Sequence, residues 1–138
     1  ENLEDNNINI NAIKDIKVVP YIYNMEEIMN AVDVIVARSG AMTITEISNL
    51  GKPSILVPLP NVSHDHQLYN AKVLEKIGAA KIILDNEMKG DILNKTIEEI
   101  VLDENKCEQM AKNALKISTT NVEDRIYNEI IKTIENKK

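Results

Sequence analysis

The sequence contains no phenylalanine or tryptophan, and it has only four tyrosines among its 138 residues. Its core must therefore be built from isoleucine, leucine and valine, and a hydrophobic fraction of 43% allows one aliphatic core at this length. The single cysteine, Cys107, excludes an internal disulfide and is typical of proteins from a reducing compartment. We therefore expect one domain that is held together by packing alone.

Clusters of basic residues are also missing. The net charge is −6 and the isoelectric point is near 5.0. Nucleic acid is not an expected partner, because binding to a phosphate backbone needs concentrated lysine and arginine. No apolar run approaches the length of a membrane span and no signal peptide is visible, so we expect a cytoplasmic domain.

The most informative stretch runs from Asp33 to Glu46 and reads DVIVARSGAMTITE. This pattern predicts a short buried strand, a tight turn and then a helix that ends near Leu50. A strand that turns directly into a helix leaves several backbone N–H groups unpaired at one point, which suits a phosphate group. We expect Ser39 or Gly40 to cap this helix.

Glu46 lies one helical turn further along this predicted helix. It follows Met42 by four residues and Thr43 by three, so its carboxylate is expected on the face that leads back to the helix tip. In a typical nucleotide site, a helix N-terminus binds the phosphate groups and a nearby carboxylate accepts hydrogen bonds from two adjacent hydroxyls of the sugar. Taken alone, the stretch fits equally well an ordinary β–turn–α unit with a glutamate on its surface.

The rest of the chain predicts further strands that alternate with helices. Asn24 and Glu27 have the spacing of a capping box at the start of one helix. The alternation favours an α/β fold with a Rossmann-like parallel sheet flanked by helices. We expect residues 1–16 to be a poorly defined N-terminal segment and residues 17–138 to form the domain. The further predicted strands cover residues 17–22, 54–59 and 80–84, and the further helices cover residues 65–77, 91–102, 104–117 and 122–135.

Ligands of such sheets bind at the carboxyl ends of the strands. The loops that follow Ile22, Arg38, Pro60 and Leu84 should meet there. The same geometry places Asp65-His66-Gln67, at a predicted helix start, opposite the first site.

Several polar residues allow a second interpretation. His64 and His66 resemble a metal-binding pair, but no third ligand is spaced to complete it, so we expect no metal and no cofactor. Arg38 either contacts a phosphate or ties down the end of its strand. Ser39 has no local histidine and aspartate for nucleophilic chemistry.

Four motifs together resemble a known family: DVIVARSGAMTITE, GKPSILVPLP, DHQLYNA and EKIGAAKII. They are similar to the C-terminal lobe of the MurG family of GT-B glycosyltransferases, from about Lys17 to the end of the chain. That family transfers N-acetylglucosamine from UDP-N-acetylglucosamine to lipid I, which makes lipid II for peptidoglycan synthesis. The resemblance implies that this chain is part of the C-terminal lobe, which binds the donor nucleotide sugar.

The resemblance also implies roles for individual residues. The backbone of Ile22 would contact uracil, and Glu46 would accept both ribose hydroxyls. The helix start would contact the diphosphate and the sugar, while Gln67, with His66 and Asn70, would bind hydroxyls of N-acetylglucosamine. The substrate-binding residues implied in this way are Ile22, Gly40, Ala41, Met42, Thr43, Ile44, Thr45, Glu46, His66, Gln67 and Asn70.

The sequence departs from the family pattern in what it lacks. The strand with a glycine-rich phosphate loop, with which the family's second lobe starts, is not found in this sequence. The family's first lobe is not found in it either. That first lobe holds the lipid acceptor and the general base, so we expect no catalytic residue here and no sugar transfer by this chain alone. The implied partners are UDP-N-acetylglucosamine and, through the other lobe, lipid I at the inner face of the bacterial cell membrane.

Other interpretations remain open at the level of sequence. The chain fits a lobe of a different GT-B enzyme, such as a diacylglycerol sugar transferase or the two-chain enzyme of N-glycan assembly. It also fits a nucleotide-sugar-binding module without transferase activity. In GT-B enzymes the last helix crosses to the first lobe, so Ile130, Ile131 and Ile134 would be partly bare here and would favour self-association.

Overall fold

The structure is a computed structural model that describes residues 15–60, 65–118 and 122–135, except for the side chains of residues 122, 123 and 125. Residues 1–14 of the predicted N-terminal segment and residues 61–64 of a predicted loop lie outside the described part. Short strands alternate with helices along the chain, as the sequence predicts. The elements are α1 (Met25–Ala31), β1 (Ile35–Ala37), α2 (Ala41–Leu50), β2 (Ser54–Leu56), α3 (His66–Lys76), β3 (Ala80–Ile82), α4 (Gly90–Val101), α5 (Glu104–Leu115) and α6 (Val122–Glu135).

The three described strands form one parallel sheet in the order β1-β2-β3. Ser54 of β2 lies opposite Ile35 of β1 and opposite Ala80 of β3. Every residue of β2 is buried, because helices cover both faces of the sheet. A continuous apolar run therefore indicated a central strand correctly.

Two apolar clusters hold the helices to the sheet. Leu56 belongs to a cluster on one face, and its neighbour Ile55 belongs to a cluster on the other face. The first cluster fixes α2 and α3 beside each other on the sheet, which positions their N-terminal ends together. Its buried members are Met29, Ile47, Leu56, Ala71, Leu74, Ala79, Ala80 and Ala114. The buried members of the second are Ile55, Val57, Ile83, Ile100 and Met110.

Helix α2 ends at Leu50, as predicted, and Gly51 is its C-cap. Gly51 has a φ of 61° and its N–H bonds back to Ile47 and Ser48, which is the left-handed cap that favours glycine. A Cβ atom added at this position would lie 2.7 Å from Cγ of Leu115 in α5. The glycine is therefore needed both for the backbone conformation and for the close approach of α5 to α2.

The predicted strand at residues 17–22 is wrong. The described residues contain three strands instead of four, and no backbone hydrogen bond joins residues 17–22 to another described residue. A strand forms only where a second strand supplies backbone partners, and Pro20 has no N–H to donate. Val18 and Tyr21 are exposed as a result. The predicted strands at residues 54–59 and 80–84 exist but end earlier, at Leu56 and Ile82.

The predicted capping box at α1 is also wrong. The side chain of Asn24 accepts no hydrogen bond from the helix, and its amide donates to the carboxylate of Glu27 at 2.7 Å. A bond to a charged acceptor is stronger than an ordinary cap, so the two side chains pair with each other. A side-chain cap does form at α5, where the carboxylate of Asp103 accepts the N–H of Lys106 at 3.0 Å.

Helix α6 carries exposed isoleucines at positions 126, 130 and 134. These positions are spaced by four residues, so they lie along one side of the helix. None of the helices within the described residues is both long enough and apolar enough to cross a lipid bilayer.

Candidate functional site

The turn between β1 and α2 lies at the carboxyl end of the sheet. Gly40 is the N-cap of α2, with an extended backbone at φ −64° and ψ 153°. None of the described side chains caps this helix. The N–H groups of its first turn therefore remain available at the helix tip, where the helix dipole places a partial positive charge.

Ser39 has a different role from the cap that the sequence allowed. Its side chain is fully buried, and its hydroxyl donates to the carbonyl of Gln67 at 2.7 Å. Its own carbonyl accepts the side-chain amide of Asn70 at 3.1 Å. These two bonds fasten the tip of α2 to the first turn of α3.

The start of α3 is held from a second side. The side-chain oxygen of Gln67 accepts the backbone N–H of Leu59 at 2.9 Å, just beyond β2. Asp65, the N-cap of α3, has a φ of 50° and is the one non-glycine residue with a positive φ in the described ranges. Such backbone conformations cost free energy and persist mainly at functional sites and tight turns.

Arg38 links the ends of the three strands. Its guanidinium donates to the carbonyl of Val57 at 3.2 Å and to the carboxylate of Asp85, which follows β3. Of the two interpretations that the sequence allowed, this geometry favours the structural one. The Arg38 and Asp85 side chains are 49% and 38% exposed, so the ion pair contributes about 0–1 kcal/mol to folding.

Glu46 is exposed on α2, on the same side as the exposed Met42. Four residues of α-helix place it about 6 Å along the axis from Met42, which is itself in the first turn. Glu46 lines a cavity of about 250 Å³ between α1 and α2. The other residues that line this cavity are Met25, Glu26, Met29, Asn49 and Leu50.

Ile22 lies in the irregular segment that leads into α1. The rings of its neighbours Tyr21 and Tyr23 meet edge to face, with centroids 4.9 Å apart. The N–H and C=O groups of Ile22 form no backbone hydrogen bond with another residue in the described ranges. A planar base could therefore pair with this backbone.

The structure thus brings several predicted site residues together and shows different surroundings for others. Gly40, Gln67 and Asn70 meet at the tip of α2 through the bonds of Ser39 described above. Ile44 packs against the core and Thr45 donates to the carbonyl of Ala41 at 3.0 Å, so these two side chains serve the fold. His66 is the first residue of α3 and directly precedes Gln67.

Metal-binding geometry does not occur in the described ranges, since no three His, Cys, Asp or Glu residues come close enough to hold an ion. His64, half of the pair considered from the sequence, lies outside the described residues.

A wider cavity of about 710 Å³ lies at the amino end of β1 and β2, and Asp33, Lys52 and Cys107 help to line it. None of the predicted site residues lines that cavity. Burial, and then the charge of Asp33, raises the pKa of the Cys107 thiol.

Residues 1–126 match the family described as the glycosyltransferase family 28 C-terminal domain. The chain belongs to this family. The crystal structure of MurG from Acinetobacter baumannii has a similar fold, with a TM-score of 0.76 and 34% sequence identity, and the match covers 84% of this chain and 33% of that one. The sheet of three parallel strands with six surrounding helices therefore matches the C-terminal lobe of the GT-B fold, as predicted.

Two curated relatives of this family 28 C-terminal domain are named UDP-N-acetylglucosamine–N-acetylmuramyl-(pentapeptide) pyrophosphoryl-undecaprenol N-acetylglucosamine transferase. The protein from Acetivibrio thermocellus is 47% identical over 124 residues, which is 90% of this chain and 33% of the relative. The protein from Ruminiclostridium cellulolyticum is 42% identical over 119 residues, 86% of this chain and 32% of the relative. The chain thus spans about a third of the length of the relatives it matches.

Proposed function

We propose that this family 28 C-terminal domain binds UDP-N-acetylglucosamine as the donor lobe of an N-acetylglucosaminyltransferase. The observation that carries the proposal is the open N-terminus of α2, which is fastened to the start of α3 and lies one turn from the carboxylate of Glu46. The names of the curated relatives support this nucleotide sugar as the ligand.

The tip of α2 would bind the diphosphate. Residues 40–43 present N–H groups there, and the helix dipole is equivalent to about half a positive charge at this end. An anion at this position needs no lysine or arginine, which agrees with the engagement of Arg38 by Asp85. As UDP leaves, negative charge develops on its β-phosphate, and fixed N–H dipoles stabilise that charge without having to reorient.

The nucleoside would lie along α2 towards α1. Glu46 has two carboxylate oxygens, which suit the two adjacent hydroxyls of ribose. The cavity beside Glu46 is also lined by Met25, which follows Ile22 by three residues. The backbone N–H and C=O of Ile22 can pair with the edge of uracil. Tyr21 and Tyr23 would border the base. The sugar would lie on the other side of the tip, against His66, Gln67 and Asn70.

The complete reaction is part of the proposal. An acceptor hydroxyl of lipid I attacks the anomeric carbon of N-acetylglucosamine, the bond from that carbon to the phosphate oxygen breaks, and UDP leaves with the electron pair. The proton of the hydroxyl goes to a base on the lobe that would bind the acceptor. In this description the domain supplies position and charge stabilisation, and the longer protein works at the inner face of the cell membrane.

Contact through α6 is a separate proposal. The exposed face with Ile126, Ile130 and Ile134 would pack against a second copy of this chain in solution. Sedimentation across a wide concentration range should then show a dimer that Ile130→Asp converts to a monomer. A monomer at all concentrations would contradict the proposal.

Calorimetric titration tests the proposed ligand. We expect UDP-N-acetylglucosamine to bind more tightly than UDP-glucose. Glu46→Ala should weaken the binding of UDP-N-acetylglucosamine and of UDP about tenfold or more, since hydrogen bonds to a charged acceptor contribute about 1.5–3 kcal/mol. Glu75→Ala, which removes an exposed carboxylate from α3, is the matched control and should leave the affinity for both nucleotides unchanged. Equal binding by Glu46→Ala and the control would contradict the site. A preference for UDP-glucose would favour a different GT-B specificity.

A further inference from the structure

We propose that the hydroxyl group of Ser39 holds the tip of α2 and the start of α3 at the spacing at which one nucleotide sugar reaches both. Ser39 is then a positioning residue, which raises the affinity for UDP-N-acetylglucosamine without touching it. The inference rests on the proposed function, in which the diphosphate binds to residues 40–43 and the sugar lies against α3. It assigns part of the preference for a sugar nucleotide over the free nucleotide to a buried residue outside the ligand contacts.

Ser39 is joined to α3 at two points. Its hydroxyl can meet the carbonyl of Gln67 only as a donor, and this bond is 2.7 Å long. Its own carbonyl accepts the side-chain amide of Asn70 at 3.1 Å. Gln67 and Asn70 are the second and fifth residues of α3, so the two bonds reach points about one turn apart. One bond would let the two elements pivot about it, whereas two bonds fix their relative orientation.

The position of residue 39 also sets the direction of a donor at the tip of α2. The carbonyl of Ser39 and the N–H of Gly40 belong to one planar trans peptide group, in which they point in opposite directions. Because the carbonyl points towards Asn70 on α3, the N–H of Gly40 points away from it. Movement of residue 39 relative to α3 therefore turns the first N–H group of the proposed diphosphate site.

The remaining contacts would hold α3 on the sheet without the hydroxyl of Ser39, but they would align it less well with α2. The backbone N–H of Leu59 donates to the side-chain oxygen of Gln67 at 2.9 Å, which ties α3 to the chain just beyond β2. This bond does not involve α2. Ser39 is fully buried, so water has little access to replace its hydroxyl. Of the two bonds between residue 39 and α3, only that of Asn70 would remain in Ser39→Ala.

The size of the effect depends on whether a ligand contacts both elements. Without the hydroxyl bond, the aligned arrangement is only part of the population, and the apparent dissociation constant of a bridging ligand rises by the inverse of that part. The rise is limited by the net free energy of the lost bond, which corresponds to about twofold to tenfold in a binding constant. UDP has no sugar to place against α3, so its dissociation constant should change by less than about twofold.

Calorimetric titration of the whole chain with UDP and with UDP-N-acetylglucosamine tests the inference. The quantity to compare is the dissociation constant of UDP-N-acetylglucosamine divided by that of UDP. We expect Ser39→Ala to raise this ratio about fivefold. A loss of stability alone would leave the ratio unchanged, because both titrations use the same folded variant.

Ser48→Ala is the matched control. Ser48 is also a buried serine, it belongs to α2 itself, and its hydroxyl has no hydrogen-bond partner in the part of the chain that the structure describes. The same atom is lost without a link to α3, so the ratio should equal that of the unchanged protein. Ser39→Cys is a second variant, which keeps a side chain of similar size and a weak donor, and it should give an intermediate rise even if Ser39→Ala fails to fold.

The outcomes separate this inference from the function on which it rests. If neither nucleotide binds the unchanged protein at millimolar concentration, the nucleotide-sugar site is wrong and the inference falls with it. If both bind, but the folded Ser39 variants have the same ratio as the unchanged protein, the nucleotide site stands and the positioning role of Ser39 alone is overturned. A ratio that rises as much in Ser48→Ala would overturn it as well, since any lost buried hydroxyl would then have this effect.

Discussion

Replacement of Ser39 by alanine removes the buried bond that joins the tip of α2 to α3. The hydroxyl donates at 2.7 Å to the carbonyl of Gln67, and the serine side chain is completely inaccessible to solvent. Gln67 belongs to the first turn of α3, so its carbonyl also faces the N–H four residues further along the helix. The carbonyl therefore loses one of two partners and is not left unpaired.

The expected cost follows from this geometry. Loss of a buried hydrogen bond without a fully unsatisfied partner should lower the free energy of unfolding by about 1–1.5 kcal/mol. For a chain of this length, that corresponds to a fall of about 3–6 °C in the midpoint of thermal unfolding. Complete exposure of the carbonyl would instead cost up to about 3 kcal/mol.

Urea unfolding followed by circular dichroism measures this change, with an unchanged slope expected for an unchanged unfolded state. Thr96→Ala is the matched control, since its hydroxyl bonds at 2.8 Å to the carbonyl of Ile92 within α4 and joins no two elements. We expect that control to change stability by less than about 0.5 kcal/mol. If Ser39→Ala and Thr96→Ala have the same midpoint, Ser39 does not fasten the two helices.

Three further changes probe the rest of the fold. Gly51→Ala should lower the free energy of unfolding by about 2–3 kcal/mol, because the left-handed backbone disfavours alanine and the added Cβ would lie 2.7 Å from Leu115. A second substitution in the same chain, Leu115→Ala, should recover part of this loss, as measured by urea unfolding. Asn113→Ala removes hydrogen bonds to Gly78, Gln109 and Lys116, and it should lower the free energy of unfolding by about 2 kcal/mol in the same assay. A decrease below about 0.5 kcal/mol would contradict the packing of α5. Cys107 should react with iodoacetamide at pH 8 more slowly than after unfolding in urea, because burial raises the pKa of its thiol. The raised pKa stabilises the fold below the ordinary thiol pKa, and this contribution should be lost as the pH rises through the raised value; equal reaction rates in both states would contradict it.

The elements that sequence alone predicted well are those with local signals. The stretch from β1 to α2 was predicted because a buried apolar run, a turn and a helical repeat follow each other within a few residues. The left-handed end of α2 at Gly51 follows from glycine chemistry, and the burial of β2 follows from its unbroken apolar run. Each of these features depends on residues that are close together in the sequence.

The features that the sequence missed depend on distant residues. Residues 17–22 have the composition of a strand, but strand formation needs a partner, which the local pattern cannot specify. Ser39 fits a helix cap, yet its hydroxyl bonds to Gln67, 28 residues away. The bond from Arg38 to Asp85 spans 47 residues and has no local signal either. The candidate site residues were predicted from motifs, whereas the bonds that join Ser39 to Gln67 and Asn70 appeared only in three dimensions.

The proposed nucleotide site depends most on the ribose contact of Glu46, one turn from the tip of α2. Calorimetry of UDP and 2′-deoxy-UDP, with the unchanged protein and with Glu46→Gln, tests this contact as a double-mutant cycle. We predict that loss of the 2′-hydroxyl weakens binding by about tenfold or more in the unchanged protein and clearly less in Glu46→Gln, because the variant keeps only a neutral acceptor oxygen. The same loss in both proteins would show that Glu46 does not bind the ribose, and the proposed site would be contradicted.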